Sequence, residues 1–86
     1  MWKIYYTKQA QKDAKKIKDK GLSKQVKKLL RIIETNPFDK TIRFEKLVGD
    51  LKGAYSRRIN IKHRLIYQVL ENDKQVKILR MWTHYE

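Results

Sequence analysis

Arg58, Arg64 and His84 are the side chains through which this sequence could act on a phosphate. They fall in stretches where apolar and polar residues alternate, which is the pattern of half-buried strands. Over 54–61, Tyr55, Arg57, Ile59 and Ile61 share one side, and Ser56, Arg58 and Asn60 share the other. Over 64–70, Leu65, Tyr67 and Val69 form the core-like set, opposite Arg64 and Gln68. In the last stretch Arg80, Trp82 and His84 share a side. If helices cover one face of the resulting sheet, the opposite face carries Arg58 and Arg64, with His84 a further candidate. A cationic sheet surface with aromatics nearby suits phosphates and stacked bases. Arg57, by its parity with Tyr55 and Ile59, reads instead as a packing or ion-pair residue. His63 reads as structural, hydrogen-bonded beside the strand.

The elements that must position these groups are marked along the chain. Trp2, Ile4 and Tyr6 alternate with Lys3, Tyr5 and Thr7, and branched and aromatic residues at period two predict a strand. Thr7 is placed to cap a helix running to about Lys20, with Gly21 as its stop. Its apolar stripe is thin, Ala10, Ala14 and Ile17, so Lys8, Lys12, Lys15, Lys16 and Lys18 face solvent or a ligand. Leu22, Val26, Leu29, Leu30 and Ile33 form one continuous helical face, with Ser23 as a plausible N-cap and Asn36-Pro37 as the end. A strand fragment is expected around Phe44 to Leu47, with turns at Gly49 and Gly53. Strands then follow over 54–61, 64–70 and 75–82, the last two joined through Glu71-Asn72-Asp73-Lys74. The prediction is an α+β fold: an N-terminal strand, then a two-helix hairpin packed on one face of an antiparallel sheet. Residues 1–86 read as a single domain, without repeats or low-complexity tracts.

Charge narrows the partners. Twenty-two Lys and Arg against nine Asp and Glu give a formal net charge of +13. A balance this basic is an electrostatic footprint for a polyanion, with nucleic acid the leading candidate. Residues 1–33 hold eleven of the basic residues and only two acids, Asp13 and Asp19, so the first third reads as a docking surface. The chain has no cysteine, which excludes disulfides and thiolate metal sites and fits a reducing cytoplasm. His63 and His84 lack metal-ligand spacing. No apolar stretch approaches the ~18 residues of a membrane span, and the first residues do not form a signal peptide. A cytoplasmic protein with no membrane partner and no cofactor is expected.

Four segments together resemble a known family: Phe44-Glu45-Lys46-Leu47, Gly53-Ala54-Tyr55-Ser56-Arg57-Arg58-Ile59, His63-Arg64-Leu65-Ile66-Tyr67 and the terminal His84-Tyr85. They are similar to the YoeB (Txe) toxins of the RelE/ParE superfamily, over essentially the whole chain in element order. The resemblance implies a RelE-like fold and a toxin that enters the ribosomal A site and cleaves the mRNA there. It implies a homodimer when free and a YefM-like antitoxin that silences the toxin, operator DNA being bound only by their complex. By matching position, Glu45 would be the general base, Arg64 the phosphate stabiliser and His84 the general acid. Tyr85 would help to hold RNA and Arg58 would contact phosphate. Val48 stands where the resemblance implies lysine, and Arg43, Lys46 and Lys52 are the nearby cations able to replace it.

Those residue types suit RNA self-cleavage. A carboxylate can take the 2′-hydroxyl proton, a guanidinium can grip the charged phosphorane, and a histidine can protonate the departing 5′-oxygen, with no metal in the scheme. Two other classes share the charge footprint: a ParE-like gyrase inhibitor of the same fold, and a basic module that binds RNA or ribosomes without catalysis. A membrane-active basic helix does not fit, because the first helix lacks a broad apolar face.

Overall fold

The computed structural model describes residues 1–47 and 53–81. Val48, Gly49, Lys52, Trp82, His84 and Tyr85, to which the sequence assigns roles or turns, lie outside the described residues. The elements are β1 (Lys3–Tyr6), α1 (Lys8–Asp19), α2 (Ser23–Thr35), β2 (Phe44–Lys46), β3 (Ala54–Arg58), β4 (Arg64–Leu70) and β5 (Gln75–Arg80). A 3₁₀ turn at Glu71–Asp73 joins the last two strands, with Lys74 left-handed at φ 51°.

Local chemistry sets the helix ends. The Thr7 hydroxyl accepts from the Ala10 N–H at 3.0 Å and donates to the Leu79 carbonyl at 2.9 Å. One side chain therefore caps α1, worth about 1 kcal/mol, and ties its start to β5. At the other end Gly21 takes φ +71°. The Gly21 N–H donates to the Lys18 carbonyl and the Leu22 N–H to the Ile17 carbonyl, each at 3.0 Å, which is a Schellman stop. That stop overturns Ser23 as the N-cap of α2. Leu22, already engaged by α1, occupies the cap position without a side-chain bond, and Ser23 becomes the first helical residue.

The sheet runs β1-β5-β4-β3-β2. The β2–β3, β3–β4 and β4–β5 pairs are antiparallel, while β1 adds parallel to β5, so the sheet is mostly rather than wholly antiparallel. Two helices packed on this sheet make the expected α+β architecture. The core lies between them: Ala10 and Ile17 of α1, Val26, Leu29 and Ile33 of α2, and Leu65, Tyr67, Val76 and Ile78 of the strands. None of the described helices is long and apolar enough to cross a membrane.

The β3–β4 turn differs from the sequence expectation. The strand stops at Arg58, and Ile61, assigned to the core side, is 82% exposed. The Asn60 carboxamide oxygen accepts from the Lys62 N–H at 2.9 Å and the His63 N–H at 2.7 Å. This Asx turn takes donors that a longer ladder would have used and carries Ile61 to the tip.

Candidate functional site

Register decides which side chains meet. Glu45 pairs with Ser56, Ser56 with Ile66, and Arg58 with Arg64. Directly opposed residues point to the same face of a pleated sheet. Glu45, Ser56, Arg58 and Arg64 therefore share the face away from the core set of Leu65 and Tyr67. Arg58 and Arg64 are like charges directly opposite one another, and an anion between them would relieve their repulsion. Ile42, Arg43, Glu45, Ser56, Arg58 and Arg64 line a cleft of about 180 Å³ on this face. Small-molecule pockets typically start at roughly 300 Å³, so the cleft suits one phosphodiester unit better than a whole nucleotide. Among the described residues, three guanidiniums around a single carboxylate make its lining strongly cationic.

The cleft therefore brings together three residues singled out in the sequence, Glu45, Arg58 and Arg64. His84 and Tyr85 lie outside the described residues. Of the three cations that could stand in for lysine at Val48, Arg43 lines the cleft. Lys46 pairs with Tyr55 on the opposite face and lines a different pocket with it, and Lys52 is not among the described residues. Ser56 and Ile42 were not singled out. Ser56 was legible by its parity with Arg58, whereas Ile42 belongs to a loop whose path no pattern announces.

Behind the cleft lies Arg57, with 0% exposure. Its Nε donates to the Tyr67 hydroxyl at 3.0 Å, one Nη to the Ile42 carbonyl at 2.8 Å, and the other to the carbonyls of Pro37 at 3.1 Å and Asp39 at 2.9 Å. The Tyr67 hydroxyl in turn donates to the Pro37 carbonyl at 2.9 Å. The guanidinium carbon also sits 4.8 Å from the Phe44 ring centroid. Among the described residues Arg57 thus provides packing rather than an ion pair: its charge is met by carbonyls, a phenol and ring faces. Burial pushes the Tyr67 phenol up, against the hydrogen bond and charge of Arg57. Hydrogen bonds from Thr41 hold the Asp39 carboxyl below its usual range, with the Arg57 charge adding to them.

Two further polar groups are structural. His63, 7% exposed, bonds Asn60 through Nδ1 at 2.8 Å within the β3–β4 turn, as its position beside the strand suggested. Asp13, wholly buried on α1, accepts from Arg80 Nε at 2.8 Å, from the Met81 N–H at 3.2 Å and from Gln9 at 2.9 Å. Burial opposes its ionisation, but these hydrogen bonds and the Arg80 charge prevail and hold the carboxyl below its usual range. Sequence reasoning passed over Asp13, although it falls at helical spacing with Ala10 and Ile17 on the stripe facing the core.

Residues 4–85 match the family described as YoeB-like toxin of bacterial type II toxin–antitoxin system. Toxin YoeB of Synechocystis sp. is 38% identical over 68 residues, which are 79% of this chain and 77% of that protein. A chain of the heterotetrameric YoeB–YefM toxin–antitoxin complex from Staphylococcus aureus is 36% identical, with a TM-score of 0.81 over 99% of each chain. The YoeB dimer from the same organism is 38% identical, with a TM-score of 0.82 over 98% of each chain. The match covers nearly every residue and includes β2, β3 and β4, which build the cationic cleft, and on it the chain belongs to the YoeB-like toxins of bacterial type II toxin–antitoxin systems.

Proposed function

We propose that this toxin is an endoribonuclease that cleaves mRNA in the ribosomal A site and so inhibits translation. The observation that carries the proposal is the cleft in which Glu45, Arg58 and Arg64 converge on one face of the sheet. Glu45 takes the proton of a ribose 2′-hydroxyl, whose oxygen attacks the adjacent phosphorus. Arg64 and Arg58 stabilise the charge gathering on the non-bridging oxygens. His84 protonates the 5′-oxygen as the P–O5′ bond breaks, and Tyr85 helps to hold the RNA. The products are a 2′,3′-cyclic phosphate and a 5′-hydroxyl, and base, cation and acid complete the exchange without a metal.

The ribosome as the site of action is supported by a second basic surface. Lys8, Lys12, Lys15 and Lys16 of α1 and Lys24, Lys27, Lys28 and Arg31 of α2 are all exposed. Such a surface suits rRNA phosphates, and its binding should weaken steeply with salt. We further propose a YefM-like antitoxin partner, operator DNA binding through that complex, a homodimer in its absence, and action in the cytoplasm. Exposed Tyr5 and Tyr6 on edge strand β1, and the trough where Tyr6 meets Ile17, Val26, Leu30 and Met81, offer apolar surface for such partners. The Staphylococcus aureus complex and dimer are the precedents in related toxins.

Primer extension on an mRNA translated in a purified system tests the activity. A cut within the A-site codon by wild type, absent with Glu45→Ala and with His84→Ala, is the expected result. Equal cutting by all three would sink the assignment of roles. Inhibition of DNA supercoiling with translation untouched would move the chain to the gyrase-inhibiting branch of the fold.

A further inference from the structure

The strand that carries Glu45 is the least supported element of the sheet. Among the described residues, β2 is three residues long, pairs only with β3 and forms an edge of the sheet. Short edge strands are the first to fray. A general base must nevertheless be held within a fraction of an ångström to be effective. Something outside the ladder must therefore hold β2 and the loop before it.

We infer that Arg57 is the positioning residue for the cleft, fastening the segment 37–45 from behind. Its donors reach three carbonyls of one loop, those of Pro37, Asp39 and Ile42, at 3.1, 2.9 and 2.8 Å. Ile42 is itself part of the cleft wall, next to Arg43. Phe44, the residue before Glu45, lies against the Arg57 guanidinium and meets Tyr55 edge-on at 5.7 Å. Phe44 and Arg57 are also register partners across β2 and β3. One side chain thus grips the loop, a wall residue and the strand on either side of Arg43. Tyr67 closes the network by bonding both Arg57 and the Pro37 carbonyl. Lysine cannot reproduce this, because one ammonium cannot span three carbonyls and a phenol as a planar fork does.

This role rests on the nuclease reading only for its catalytic consequence, and the test separates the two. Hydrogen exchange and cleavage kinetics would be measured on Arg57→Lys and on Tyr67→Phe, each paired with Glu45→Ala. In Arg57→Lys, amides of residues 38–47 should exchange roughly tenfold faster, while those of β4 and β5 keep their protection. Tyr67→Phe should do the same to a smaller degree, and it stands in if the lysine variant does not fold. With cleavage, kcat should fall ~10²-fold with KM little changed. In the Glu45→Ala background the same substitution should cost nothing more. Faster exchange throughout the chain, or an equal loss of rate with and without Glu45, would overturn the inference and leave Arg57 a core residue only. Exchange confined to 38–47 in a protein whose wild type cuts nothing would keep Arg57 as the anchor of the cleft wall and sink the nuclease reading.

Discussion

Arg57 and Arg58 are neighbours on one strand with the same side chain, yet the sheet gives them opposite surroundings. Arg57 is fully buried, with its donors met by three backbone carbonyls and a phenol. Arg58 is exposed on the other face, opposite Arg64, where the pair faces the cationic cleft. The pleat alone separates them, since successive residues point to opposite faces. A guanidinium enclosed by fixed acceptors is a structural strut. The same group beside a second guanidinium, in reach of water, gains little from the fold and, on the function proposed above, serves to bind an anion. On the proposed function, the two faces of β3 divide the work of stability and chemistry within one dipeptide.

The largest effects should come from the proposed catalytic groups, and loss of Glu45 from the outer face should leave stability alone. Glu45→Ala and His84→Ala are each expected to slow mRNA cleavage by about 10²–10⁴, and Arg64→Ala by about 10²–10³. The circular dichroism melt of Glu45→Ala should stay close to wild type. A melting temperature that fell along with the rate would break the division between the faces.

Arg57→Ala should reverse the pattern. It strands several buried acceptors at about 1–3 kcal/mol each, so a loss exceeding ~3 kcal/mol is expected in urea unfolding. Asp13 sharpens the comparison from the helix side, and Asp13→Asn should cost about 1–3 kcal/mol. Because the folded carboxyl sits below its ordinary value of about 4, the unfolded chain binds the proton more readily. The stabilisation from Asp13 is therefore fully present above that value and is lost as pH falls through the folded one. Asp13→Asn should remove this share of the acid sensitivity, as pH-dependent unfolding would register.

Arg58→Ala should have the smallest effect on the fold, within about 0.5 kcal/mol of wild type. It should still weaken single-stranded RNA binding and reduce the log–log salt slope by about 0.7, the share of one phosphate contact. An unchanged slope would remove Arg58 from the phosphate-binding set.

Much of this was legible in one dimension. The Thr7 cap, the Gly21 stop, the apolar face of α2 and the alternation through β3, β4 and β5 are local patterns, and local physics enforces them. Parity alone separated Arg57 from Arg58 and set Arg64 opposite Leu65 and Tyr67. The segments around Glu45, Arg58 and Arg64 carried the family likeness, and the family match bears that likeness out. Where local chemistry had two solutions, the expectation failed: Ser23 lost the cap position to a Schellman stop one residue earlier, and Asn60 ended β3 before Ile61.

What the sequence by itself determined is therefore the set of elements, the side of each strand, and the residue types fit for phosphate chemistry, because these follow from repeats of two and 3.6 residues and from charge. Only the tertiary structure decided that β1 would run parallel beside β5, and that Asp13 would meet Arg80 and Met81 across some 67 residues of chain. It alone decided that Glu45, on a three-residue strand, would share a cleft with Arg58 and Arg64 while Arg57 grips the loop behind it. Those are pairings between distant segments, set by sheet register and by the need to satisfy buried charge, and no local pattern encodes either.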